Sequence, residues 1–178
     1  SSAASDVYKR QELEKIDGVK NVYPVKSYIG EVLIEKNNFF WKEYYEYLNE
    51  AYKDTYNGYM RNTINGDYAI KCNILGYNDE LLGKMEPYIL EGSIDPDQMR
   101  RNNEIVLVTL EDAQGNHNSV DKKIGDTIKV RIPNNIVGTS EDLKQLGSES
   151  DFSEKEYTIS AIVSRTMAVS YTHLRAHE

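Results

Sequence analysis

The spacing of apolar residues changes several times along this chain, and each change marks an element. In "SYIGEVLIE", Tyr28, Gly30, Val32 and Ile34 alternate with Ile29, Glu31 and Leu33. Period two is the mark of a strand, so a long strand is predicted here, bent near Pro24 or Gly30. Upstream, Ser5 or Asp6 is placed to cap a short helix through about Asp17, with a weak apolar stripe of Val7, Leu13 and Ile16. Gly18 suits the left-handed stop of that helix. Over residues 38–62 the period switches to 3.6. Phe40, Tyr44, Leu48, Ala51, Thr55 and Tyr59 fall on one face, which Trp41, Tyr45, Tyr52 and Tyr56 widen. Lys42, Glu43, Glu46, Glu50, Lys53 and Asp54 supply the polar side, and the whole stretch predicts one long helix.

Period two returns in "YAIKCNIL", after an Asn65-Gly66 turn. Asn78 is placed to cap a short helix with Asp79 and Glu80 in its first turn, where the helix dipole favours anions. That helix carries Leu81, Leu82 and Met85, and Pro87 ends it. "YILEG" then returns the chain toward the sheet, and "DPDQMRRNN" reads as a turn or one helical coil. "EIVLV" is continuously apolar and suits a buried strand. "DTIKVRI" alternates cleanly: Ile128, Val130 and Ile132 are expected inward, and Thr127, Lys129 and Arg131 outward. Residues 133–155 read as a polar excursion with a short helix near "SEDLKQL". "YTISAIVS" puts Tyr157, Ile159, Ala161 and Val163 on one face.

These elements predict an α+β chain of two small linked subdomains. Residues 5–100 form a mixed helix/strand unit with a Tyr-rich helical insertion at 38–62, and residues 101–165 form a mainly β unit. The boundary is expected near 92–103. Residues 166–178, containing "SYTHLRAHE", break the pattern and resemble translated vector DNA, so they are set aside as a non-native tail.

Composition narrows the chemistry. With 39% hydrophobic and 28% charged residues, the 178-residue chain can build a core without covalent staples. A net charge of -8 disfavours nucleic acid and fits a cationic or neutral partner better. Cys72 is the single cysteine and shares a face with Tyr68, Ile70 and Ile74, which reads as a small buried hydrophobe. No run approaches the ~20 apolar residues of a membrane span, and no apolar signal region opens the chain.

Catalytic patterns are weak. Phosphate-loop, dinucleotide and nucleophile-elbow motifs are missing. "SVDK" at Ser119–Lys122 matches S-x-x-K without its companion motifs. Asp95 and Asp97 flank Pro96, where turn initiation and helix capping outweigh a cation site. Glu111, Asp112 and His117 read as loop residues, while His173 and His177 fall in the tail. No catalytic residue, cofactor or metal is expected. The aromatic helix remains as a candidate contact surface through Phe40, Trp41, Tyr44, Tyr45, Tyr52 and Tyr56, because rings give large contact area at low entropic cost.

Five segments carry a resemblance: "LEKIDGVKNVYPV", "ILGYNDELLGKMEPYILEGSIDP", "NEIVLV", "KIGDTIKV" and "YTISAIV". Their order resembles the MacB-like periplasmic core domain, the extracytoplasmic part of MacB/FtsX-type ABC transporter permeases. The matching positions are Gly18, Val19 and Val22; Gly76; Leu90 and Gly92; Ile105 to Val108; Gly125, Asp126 and Thr127; and Ile159 to Val163. The resemblance covers about residues 6–36 and 68–165, leaving the Tyr-rich stretch as an elaboration and the end of the domain truncated. It implies porter-like and sabre-like subdomains on the extracytoplasmic face of a bacterial membrane. It also implies attachment to the permease's own transmembrane helices, indirect coupling to an ATPase subunit, and a peptide, lipoprotein or protein partner. The residues alone leave a second expectation open, a free-standing cell-surface module binding sugars or peptides.

Overall fold

A computed structural model describes residues 9–19, 21–23, 25–54, 58–109, 121–134 and 152–164. Helical residues 9–14 (α1) lead to Gly18, whose φ of +89° gives the left-handed stop; the expected cap at Ser5 or Asp6 lies outside the described residues. Leu13, Ile16 and Val19 stay exposed, as the weak apolar stripe of this segment anticipates.

The strands that follow are β1 (Val25–Ile34), β2 (Met60–Asn62), β3 (Tyr68–Tyr77), β4 (Ile89–Gly92), β5 (Glu104–Thr109), β6 (Thr127–Pro133) and β7 (Phe152–Ser164). They form one sheet in the order β2-β3-β1-β6-β7-β4, with β5 on β7. All these pairings are antiparallel except β5 with β7. The expected α+β class is the class observed. Strands from either side of residues 92–103 share this sheet, since β1 pairs with β6 through Glu31–Arg131, Val32–Val130 and Leu33–Lys129. The expected boundary therefore does not interrupt the hydrogen-bonded framework.

β7 is the hub. Its residues 152–158 pair with β6, residues 158–164 with β5, and residues 161–163 with β4. Ile159, Ala161, Ile162 and Val163 are buried accordingly. The strand begins at Phe152, so the polar excursion expected over 133–155 is shorter than read: residues 152–155 already belong to the sheet. The short helix expected near "SEDLKQL" lies outside the described residues. β5 forms where expected but is only half-buried, with Val108 exposed, because it lies beside one strand alone among the described residues.

One face of the sheet packs Ile34, Met60, Tyr68, Ile70, Ile128 and Val130 into the main core. A second cluster joins Leu81 and Met85 to Val163, with Leu82, Tyr88 and Ile89 against it. Here α3 (Asp79–Gly83) covers the end of β7. The Asn78 side chain caps it by accepting from the Leu81 N–H at 2.9 Å, and Pro87 turns the chain through a 3-10 segment into β4. α4 (Pro96–Asn102) starts on Asp95, whose carboxylate accepts from the N–H groups of Asp97 and Gln98.

β4 ends at Gly92, where φ is +79° and a Cβ would stand 2.1 Å from the Ser160 carbonyl oxygen. Backbone on β7 cannot yield to that contact. Gly92→Ala is therefore expected to cost about 2–4 kcal/mol by combining left-handed strain with a clash. Gly83→Ala, which meets nothing within 4 Å, should stay within about 1 kcal/mol of the parent. Urea unfolding of the two variants checks the contrast.

Candidate functional site

Two features outside the apolar core merit a functional reading: a charged cluster turned inward and an aromatic helix turned outward. The cluster is built by strand register. On β1, period two places Ile29, Glu31 and Leu33 on the face opposite Val32 and Ile34. Glu31 stands directly across from Lys71 on β3 and from Arg131 on β6. Gly30 allows this close arrangement, since a Cβ there would lie 2.4 Å from the Arg131 carbonyl oxygen.

Glu31 is fully buried, yet its carboxylate is well partnered. Arg61 of β2 grips it with both ends, Nε to Oε1 at 3.1 Å and Nη2 to Oε2 at 2.9 Å. Lys71 Nζ sits 3.0 Å from Oε1. The neighbouring Arg131 pairs with Glu154 of β7, Nε to Oε2 at 3.2 Å. Phe152 closes the group, with Lys71 Nζ 4.9 Å and the Arg61 guanidinium 5.8 Å from its ring centre. Burial pushes the Glu31 carboxyl up, but the Arg61 hydrogen bonds and the charge and hydrogen bond of Lys71 outweigh it, and the group titrates below its ordinary value. Arg131 corrects an expectation. It does leave on the face opposite Ile128 and Val130, but it is buried rather than solvated.

Cys72 lies on the core side beside this cluster, half-buried, and its thiol is pushed up to about 12 by burial first and by the Glu31 charge second, against Lys71. It stays protonated at neutral pH and is a poor nucleophile, in keeping with the packing role expected for it.

The aromatic segment differs from the single helix expected over 38–62. Lys36–Asn38 form a 3-10 turn, α2 covers only Lys42–Ala51, and Met60–Asn62 become strand β2. Pairing of Met60 with Ile70 and Arg61 with Ala69 overrides the helical period there. Asn49 ties the helix to the strand: its Nδ2 donates to the Met60 carbonyl at 2.7 Å and its Oδ1 accepts from the Tyr59 N–H at 3.0 Å.

The expected contact residues divide into two groups. Trp41 and Tyr45 pack against the main core, and buried Phe39 meets Tyr45 edge-on at 5.4 Å. Phe40, Tyr44 and Tyr52 are exposed by 60%, 48% and 48%. Tyr56 lies outside the described residues. Tyr47, which the periodicity did not single out, is exposed by 64% and outdoes them all. The helix buries one side through Trp41, Tyr45, Leu48 and Asn49 and leaves a second ring-bearing stripe in water.

The remaining candidates have structural duties or fall outside the described residues. Asp95 caps α4, and Asp97 pairs with Arg100, which also clasps Asp79 at 2.6 and 3.0 Å. Lys122 pairs with Glu35 at 3.1 Å, whereas Ser119 is not among the described residues. Glu111, Asp112, His117, His173 and His177 likewise lie outside them. Among the described residues no group of three or more His, Cys, Asp or Glu could hold a metal, and no helix is long and apolar enough to cross a membrane. No family model, curated protein or solved structure matches the chain.

Glu31 was missed in the sequence, although a carboxylate between Ile29 and Leu33 is the kind of polar intrusion that signals a buried pair. Glu31→Gln is expected to destabilise the fold by about 3–5 kcal/mol, because Arg61 and Lys71 lose their anion. A depressed carboxyl contributes stability above its unfolded pKa and loses it as pH falls through the folded value. Parent stability should thus decline with acid below about pH 4.5, the ordinary value for this carboxyl, and Glu31→Gln should decline less steeply. Urea midpoints measured across that range check both statements.

Proposed function

We propose that this chain is a non-catalytic contact domain, the extracytoplasmic domain of a MacB/FtsX-type ABC transporter permease. It is held outside the membrane by the permease's own transmembrane helices. It meets a substrate or partner there and moves with ATP hydrolysis carried out by a separate ATPase subunit. The observation that carries the contact role is the exposed rings of Tyr44 and Tyr47 on α2 and of Phe40 just before it, in water beside a helix already anchored by its opposite side. An exposed aromatic cluster of this kind is a surface suited to association.

The permease assignment draws its support from the order of the resembling segments. Two of them also have physical roles that suit a load-bearing domain. "LLGKMEPYILEG" packs Leu81 and Met85 on β7 and reverses at Gly92. In "KIGDTIKV", Asp126 ties the turn by accepting from the Lys123 N–H at 2.9 Å. The charged cluster suits the same role, since its carboxylates are engaged in ion pairs within the sheet.

The complete reading frame tests the assignment directly: a membrane span just before residue 1 and three more after the domain agree with it, and a soluble continuation removes it in favour of a free-standing surface module. Within the full-length protein, Phe40→Ala, Tyr44→Ala and Tyr47→Ala together should shift stability by less than about 1 kcal/mol, as exposed positions do, while abolishing partner binding or transport. Tyr45→Ala, on the packed side, should instead cost about 1–3 kcal/mol. Unchanged transport in the triple variant would sink the contact role.

A further inference from the structure

We infer that the occupant of the exposed α2 stripe is a cationic, amphipathic peptide segment. This rests on the reading of α2 as the contact face and adds the chemistry of what it meets. An α-helix advances about 100° per residue. Tyr44, Tyr47 and Ala51 follow one another at steps of three and four on α2 and form one exposed row, and exposed Phe40 stands just before the helix. Glu43 and Glu50 stand four residues before and three residues after Tyr47, so both carboxylates flank its ring.

Of the two lysines of the segment, one lies away from the row and the other engages Glu50. Lys42 pairs with Glu46 at 3.5 Å, away from the row, and Lys53 reaches back to Glu50 at 2.7 Å. Glu43 sits in solvent beside the rings. The surface therefore offers an apolar strip of ring faces with carboxylates along one margin. An incoming Lys or Arg gains both a ring face and a carboxylate, and the apolar residues beside it gain Phe40 and Tyr44. An acidic peptide meets repulsion from Glu43, the carboxylate of the margin that Lys53 does not hold. The net charge of -8 extends the same preference to longer range.

The test titrates the full chain with an amphipathic peptide of Lys and Leu, and with a peptide of the same pattern made of Glu and Leu. Trp41 is the only tryptophan and lies 5.6 Å from Tyr44, edge-on, so its fluorescence reports on the row. Saturable binding of the Lys/Leu peptide alone is expected, weakening as salt is raised. Glu43→Gln with Glu50→Gln should loosen it by about 3–10-fold, and Tyr47→Leu, which keeps apolar bulk without the ring, by about 2–5-fold. Retention of the parent urea midpoint in each variant separates lost binding from lost folding.

Equal binding of the two peptides, or no change in the carboxylate variants, overturns the cationic preference. If replacing Phe40 and Tyr44 by Ala then abolishes binding of both peptides, the contact-face reading survives that failure. Concentration-dependent dimerisation abolished by Phe40→Ala would identify a second copy as the occupant and also overturn the inference.

Discussion

A carboxylate with no access to water governs this sheet. Glu31 lies where β1 is flanked by β3 and β6, and its charge could not stay there alone: the effective penalty for burying an ion is several kcal/mol. Arg61 and Lys71 come to it from two different strands, and Arg131, across from it on a third, pairs with Glu154. The arrangement works only in one register, since a slip of β1 by one residue would move Glu31 onto the face of Ile70 and Val130 and turn Val32 and Ile34 away from it. The cluster thus contributes specificity of pairing, and the apolar face supplies the larger share of burial energy. Gly30 and Phe152 serve the same end, one by letting β6 approach and the other by covering the cations with a ring.

This division of labour bears on function. The polar groups that look chemically interesting are turned inward and spent on one another. Cys72 beside them is held as a thiol. The groups left for encounter are the rings of α2, which the fold presents on a helix fixed by Trp41, Tyr45 and the two hydrogen bonds of Asn49. A helix anchored in this way and displaying exposed rings loses little entropy when it meets a partner, which favours recognition through shape and ring chemistry. The same anchoring lets a contact at α2 reach β2 and, through Arg61, the Glu31 cluster.

Local signals were legible in the sequence because they act over a few residues. Asn78 caps, Pro87 stops, Gly92 reverses and Asp126 ties its turn, each within reach of its own backbone. Long-range pairing was not legible. The alternation of "DTIKVRI" placed Arg131 on the correct face, but the pattern of one strand cannot say whether that face is wet. Whether Glu31 meets Lys71 is a matter of register between strands far apart in the chain. The Tyr-rich stretch misled for a related reason: its rings fit a 3.6 period over 38–62, yet aromatic residues also favour strands, and the Asn57-Gly58 pair interrupts the stretch. Pairing with β3 decided in favour of β2. Tyr47 escaped notice because the selected period steps from Tyr44 to Leu48; Leu48 turns partly inward, and Tyr47 is left in water with Tyr44.

The central claim, that the buried ions act as one coupled lock on the sheet, is most directly tested by a double-mutant cycle at pH 7. Glu31→Gln, Lys71→Met and the pair together would be compared by urea unfolding. The account predicts a coupling of at least about 1.5 kcal/mol, with Lys71→Met costing less once Glu31 has lost its charge. Costs that add within about 0.5 kcal/mol would show that the two side chains contribute independently, and would contradict the account.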